Sequence, residues 1–225
     1  MFKKTIFNNL TSKYNSHAYS GLMGFFMNHC HKHLEKFDFP KNISKVLEIG
    51  AGDAPHYKFI KHDYEEYHIL DTSDVILENY KDNSKVVAKK YDGQKLPYEN
   101  NIFDRIIISH CLEHIYYPEK FLSNVMDKLK VGGVLSISLP TDPGVLFRIG
   151  RLYLKLFSIK NKYKITSTEF DYMNATEHVN SIFGLSSIIK YNYADCLSEY
   201  YLPFKIKFFD LNLFYNVHIV KNKKL

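Results

Sequence analysis

Val46-Leu47-Glu48-Ile49-Gly50-Ala51-Gly52-Asp53-Ala54 decides the fold. Val46, Leu47 and Ile49 give the apolar run of a strand covered on both faces, the pattern of a parallel sheet. Gly50 and Gly52 then allow a tight turn and let a ligand approach without meeting a Cβ. Asp53 suits a helix cap and Pro55 a first helical turn, so a helix is predicted to follow.

The loop selects among ligands. The nicotinamide fingerprint G-x-G-x-x-G requires a third glycine at 55, where Pro55 stands. Glu48 and Asp53 make the loop acidic, and carboxylates repel a pyrophosphate at a helix N-terminus. A cationic cofactor without phosphates fits better. The spacing E-x-G-x-G-x-A of Glu48, Gly50, Gly52 and Ala54 resembles the first motif of class I S-adenosylmethionine (SAM)-dependent methyltransferases. That family usually has glycine where Ala54 stands. Its cofactor carries a sulfonium and an ammonium group, and leaves as S-adenosylhomocysteine.

Further motifs follow in the family's order. Residues 57–63 are predicted helical. Tyr67-His68-Ile69-Leu70-Asp71 reads as a second strand, and Asp71 stands about twenty residues past the loop, where a carboxylate accepts the ribose hydroxyls. Thr72 and Ser73, with Asp74, suit the cap of a helix to Tyr80. Lys85 to Tyr91 is a third strand, and the resemblance puts Asp92 on the adenine amino group, with Gly93 giving backbone access. Phe103 to Ser109 is the fourth strand, opened by a structural Asp104. The run Leu112-Glu113-His114 resembles the family's "LEH", placing Ser109 and His110 beside the cofactor. Helix 121–129, Gly132-Gly133 and strand 134–140 complete the match over about 44–140.

The resemblance implies a doubly wound, mostly parallel seven-stranded sheet, with 1–40 as an N-terminal helical lid and 41–225 as the methyltransferase domain. Residues 17–37 are predicted helical, and Tyr14 and Tyr19 are lid candidates for touching the cofactor. Within the domain, 141–180 is expected to be the acceptor-side cap. Helices are predicted over 145–159 and 182–191, strands over 200–209 and 213–220, and 163–180 as a less regular segment.

Composition sets bounds. The chain has 225 residues, 45% of them hydrophobic, enough for one large core. The net charge of +6 is spread over scattered lysines, so nucleic acid is not an expected partner. Three distant cysteines form no metal-ligand pair or disulfide framework, which suits a reducing, cytoplasmic setting. Neither a signal peptide nor a membrane-spanning stretch of roughly 18 apolar residues is evident.

Methyl transfer asks the protein to orient donor and acceptor, with a base needed only for a hydroxyl or a carbon acid. His114, His110 and His178 are the base candidates, His114 first because it follows strand four. His110, Glu113 and His114 spell H-x-x-E-H, resembling the E-x-x-E-H magnesium motif of two O-methyltransferase groups. Replacement of a hard oxygen ligand by His110 disfavours magnesium, and no metal is expected. The reading is SAM-dependent methylation of a small-molecule acceptor: a sugar, a lipid-linked or a quinone-like compound. Metal-assisted RNA 2′-O-methylation and a non-catalytic SAM-binding protein are the alternatives. Peripheral membrane contact through 145–159 is a further expectation, because Arg148, Arg151 and Lys155 share a helix face.

Overall fold

The computed structural model describes residues 19, 21–52, 56–73, 80, 83–157 and 165–223. Seven strands form one sheet: β1 (Lys45–Ile49), β2 (Glu66–Asp71), β3 (Val86–Lys90), β4 (Phe103–Ser109), β5 (Leu129–Pro140), β6 (Leu197–Leu202) and β7 (Phe214–Val220). Their order is β3-β2-β1-β4-β5-β7-β6. All neighbours from β3 to β5 run parallel, and β7 pairs antiparallel with both β5 and β6. The strand order reverses between β1 and β4, so the crevice of a doubly wound sheet opens at their carboxyl ends.

The inner strands are buried on both faces, which explains their richness in Val, Ile and Leu. Leu47, Ile49, Ile106, Ile108 and Leu135 pack one face against α2 (Pro118–Lys128) and α5 (Ile182–Tyr193). Val46, Tyr67, Ile69 and Ile107 pack the other face against Leu34, at the end of α1 (Gly21–Leu34). Asp104 ties β1 to β4: its carboxylate accepts from Ser44 N at 3.1 Å, Lys45 N at 2.9 Å and Lys130 Nζ at 2.7 Å.

Between α1 and the sheet lies a buried polar chain. Arg105, wholly covered in mid-β4, donates to both Glu35 oxygens at 3.1 and 2.5 Å and to His62 Nε2 at 2.8 Å. His56 Nε2 also donates to Glu35, at 2.9 Å. Burial alone would raise Glu35, but His56 and Arg105 hold it down at about 2. A carboxylate only accepts, so His56 carries its proton on Nε2 and its neutral ring accepts at Nδ1 from His31 Nδ1, 3.0 Å away. His31 Nε2 then accepts from Tyr19 Oη at 2.8 Å.

Three segments differ from the sequence expectations. Residues 57–63 hold only a short 3-10 turn, Tyr57–Phe59. The stretch expected to be less regular contains α4 (Ser167–Glu177), started by a capping box between Thr166 and Glu169. β6 stops at Leu202, and 203–212 forms a loop rather than strand. Tyr14, Asp53, Ala54, Pro55 and the expected helix 74–79 lie outside the described residues.

Candidate functional site

The strand carboxyl ends bring the motif residues to one edge. Gly50 (φ +66°) and Gly52 (φ +51°) follow β1 in the left-handed region that glycine tolerates. A Cβ on Gly50 would sit 2.2 Å from Cys111 Sγ, so the β1 and β4 loops touch through the missing side chain. Asp71 ends β2, and its carboxylate accepts from Gly52 N at 2.8 Å and Ser73 N at 2.7 Å. The acid is thus positioned directly against the glycine loop. A Cβ on Gly93 would meet Thr72 Cγ2 at 3.5 Å, which draws the ends of β2 and β3 together. Asp92 is exposed, and the Gln94 and Lys95 amides bound to it hold its carboxyl below the usual range.

The end of β4 supplies polar atoms that await a partner. Among the described residues, buried Ser109 Oγ, His110 Nε2 and Glu113 Oε2 have no hydrogen-bond partner. Leaving such groups unmatched costs roughly 1–3 kcal/mol each, which a polar ligand at this edge would recover.

Two further residues of the β1 stretch, Glu48 and Ala51, are covered. Glu48 is covered within β1, where Tyr67 Oη donates to it at 2.7 Å, and burial pushes its carboxyl up to about 7. Ala51 is buried in the cluster that holds Val46 and Leu34. Tyr19 stacks on His31 and donates to it.

A second cluster forms where the β4 and β5 loops meet the end of α4. His114 Nδ1 lies 2.6 Å from Glu177 O. A carbonyl only accepts, so Nδ1 carries a proton and points Nε2 away from Glu177. His178 Nδ1 lies 2.7 Å from Asp142 Oδ2, which likewise fixes the proton on Nδ1. The two rings are 5.2 Å apart. Burial alone would raise Asp142, but His178 and Arg151 keep it below the usual carboxylate range. Arg151, on α3 (Val145–Phe157), donates to both Asp142 oxygens at 3.0 and 2.5 Å. Asn180 joins the segments, donating from N to Glu113 O at 3.1 Å and from Nδ2 to Ile115 O at 2.6 Å. One ligand atom from each of Glu113, His114 and His178 lies within 4.8 Å of the others.

His110 stands apart chemically. It is half-buried, with its Nε2 shielded from solvent, and takes φ +52°, edge-on to His31 and Phe214. Burial, aided by neighbouring histidines, lowers it to about 3. So weak a base is poorly suited to take a proton near neutrality. Its buried Nε2 is better suited to hydrogen-bonding a ligand.

Beside the histidines opens a cleft of about 610 Å³, lined by Asp142, Arg151, Lys155, Phe170, Asn174 and His178 among others. That volume lies within the range for small-molecule sites. Asp142 and Arg151 are site residues that motif reading missed: Asp142 reads as part of an Asp-Pro-Gly turn and Arg151 as one stripe among cations. The available signal was position, since Asp142 follows the fifth strand at the ligand edge.

The fold is that of the class I methyltransferases. Residues 47–137 match the methyltransferase-domain family model. An uncharacterised protein of Methanocaldococcus jannaschii is 28% identical over 157 residues, 68% of this chain and 67% of that protein. Among solved structures, the plantazolicin methyltransferase BpumL in complex with S-adenosylhomocysteine aligns with a TM-score of 0.65 at 14% identity, covering 96% of this chain and 90% of that one. A SAM-dependent methyltransferase from Aquifex aeolicus aligns at 0.53 and 15% identity, covering 84% and 88%. A Haemonchus contortus phosphoethanolamine N-methyltransferase aligns at 0.60 and 17%, where 87% of this chain spans 53% of that one.

Proposed function

We propose that this protein is a SAM-dependent methyltransferase that acts on a hydroxyl of a small molecule held in the cleft beside His178. The methyltransferase-domain match over 47–137 and the SAM- and S-adenosylhomocysteine-bound relatives of the same fold support the cofactor. Asp71 holds the ribose, Asp92 and Gly93 the adenine edge, and Gly50 and Gly52 the approach to the loop. SAM supplies an electrophilic methyl group on a sulfonium. Ser109 and His110 offer polar atoms at the same edge.

The observation that carries the acceptor chemistry is the Asp142–His178 pair. Asp142 fixes the proton on Nδ1 and stabilises the imidazolium that forms when Nε2 takes the acceptor's proton. His114, oriented by Glu177 O, adds a second imidazole beside it. Arg151 and Lys155 favour an acceptor with an anionic or strongly polar group. A transfer assay with hydroxyl and amine acceptors of matched size tests this reading. Hydroxyl methylation lost in His178→Ala supports it, whereas equal turnover of that variant refutes it.

The grouping of Glu113, His114 and His178 favours one other reading, in which a metal polarises the acceptor oxygen. Two imidazoles and a carboxylate suit a transition metal. Activity abolished by a chelator and restored by added metal would select that reading over the base.

A further inference from the structure

α3 turns its apolar side to water. None of its 13 residues is buried. Val145, Ile149, Leu152 and Leu156 recur along one face, with Tyr153 and Phe157 beside them, and Leu156 and Phe157 are 66% and 65% exposed. The cations are divided. Arg151 and Lys155 are paired with Asp142 and Asp171, while Arg148 stays exposed.

A second element stands next to it. Val145 N donates to Asp210 Oδ1 at 2.9 Å, and a Cβ on Gly144 would lie 3.1 Å from Phe209 O, so the start of α3 rests on the loop between β6 and β7. In that loop Phe204, Lys205, Ile206, Lys207 and Phe208 are all exposed. The exposure is built in. Buried Asn212 accepts from Phe204 N at 3.1 Å and donates to Ile206 O at 2.7 Å and Phe208 O at 2.9 Å. Lys205 takes a left-handed φ of +61° within this turn. The protein thus holds three large apolar side chains outward, with a lysine between each pair.

We infer that α3 and the 204–208 loop together form a docking face for an anionic phospholipid bilayer. Apolar side chains would enter the boundary between headgroups and acyl chains, while Lys205, Lys207 and Arg148 meet lipid phosphates at its rim. Neither 145–157 nor 204–208 contains an acidic residue. A second copy docked on the same face would set these cations against their own kind, because a twofold interface is self-complementary. A helix of this length, about 20 Å, suits lying in the interface plane, and no described helix is long and apolar enough to cross a membrane. The inference is independent of the methyl-transfer reading.

Flotation of the full chain with liposomes tests it, using phosphatidylcholine alone and phosphatidylcholine with one-quarter phosphatidylglycerol. Binding is expected on the anionic vesicles at low salt, and at least tenfold weaker on neutral vesicles or at high salt. Lys205→Glu/Lys207→Glu and Leu156→Asp should each lose that binding with unchanged thermal melting, since these side chains are exposed. The chain has no tryptophan, so Phe208→Trp reports insertion as a blue shift of fluorescence on the same vesicles. Three results would overturn the inference: no flotation at low salt, full retention in both variants, or a solution dimer that Leu156→Asp dissolves.

Discussion

Asp142 holds His178 and Arg151 at once: its Oδ2 lies 2.7 Å from His178 Nδ1 and 2.5 Å from an Arg151 guanidinium nitrogen. The carboxylate is shared between a ring it orients and a cation that keeps it ionised. Asp142→Asn keeps the shape but no longer favours a protonated Nδ1. Turnover should fall by about 10²–10⁴-fold, with SAM affinity unchanged. His178→Ala should cost about as much, and the double variant little more, because the two act as one unit. Steady-state kinetics and calorimetry on the three variants check this.

Asp71 bridges the glycine loop and the β2 turn through two backbone amides. Charge-assisted hydrogen bonds to ribose hydroxyls contribute roughly 1.5–3 kcal/mol each. Asp71→Asn should weaken SAM binding by about tenfold or more. Calorimetric titration with SAM and, separately, with NAD measures it. Tight NAD binding without SAM binding would contradict the cofactor reading.

Glu48 should show in the pH dependence of stability. Burial raises it from 4.5 to about 7 in the folded protein. A raised carboxyl is protonated when folded and ionised when unfolded between those values, so its contribution is fully present below 4.5 and lost as pH rises to about 7. Relative to Glu48→Gln, the parent protein should lose on the order of 2–3 kcal/mol across that window. Urea unfolding at stepped pH measures the difference, and parallel curves would place the Glu48 carboxyl at an ordinary value.

Arg105 and Glu35 are both fully covered. Arg105→Met strands a buried carboxylate and should destabilise by about 3–5 kcal/mol, whereas Arg105→Met with Glu35→Leu should recover part of that loss. Denaturant unfolding of both variants decides it.

The inner sheet was readable because its strands are buried on both faces and are built mostly from apolar residues. The glycine turn and the acids after β2 and β3 sit at spacings set by backbone geometry, so they too could be read. α4 escaped because only Phe170 and Met173 are buried in it, too few for an apolar period, although its Thr166-x-x-Glu169 box was there to be seen. Phe204 to Phe208 misled in the opposite way. Its alternation is that of a strand, yet Asn212 takes up the backbone groups and every side chain faces out. The histidine site depends on joining residues 113–114, 142 and 178, and local spacing carries no trace of such a meeting.

The fastening of α1 limits how the crevice can exchange its contents. Cys30 O accepts from Asn216 Nδ2 at 3.1 Å, and Glu35 is clamped to Arg105 within β4. The latter half of α1 is therefore a wall of the molecule, although it belongs to the segment expected to be a lid. Swinging it aside would break a buried ion pair, an event on the scale of partial unfolding rather than of a catalytic cycle. A hinge within α1 has to lie ahead of Cys30, so cross-linking α1 to the sheet beyond that point should have little effect on product exchange.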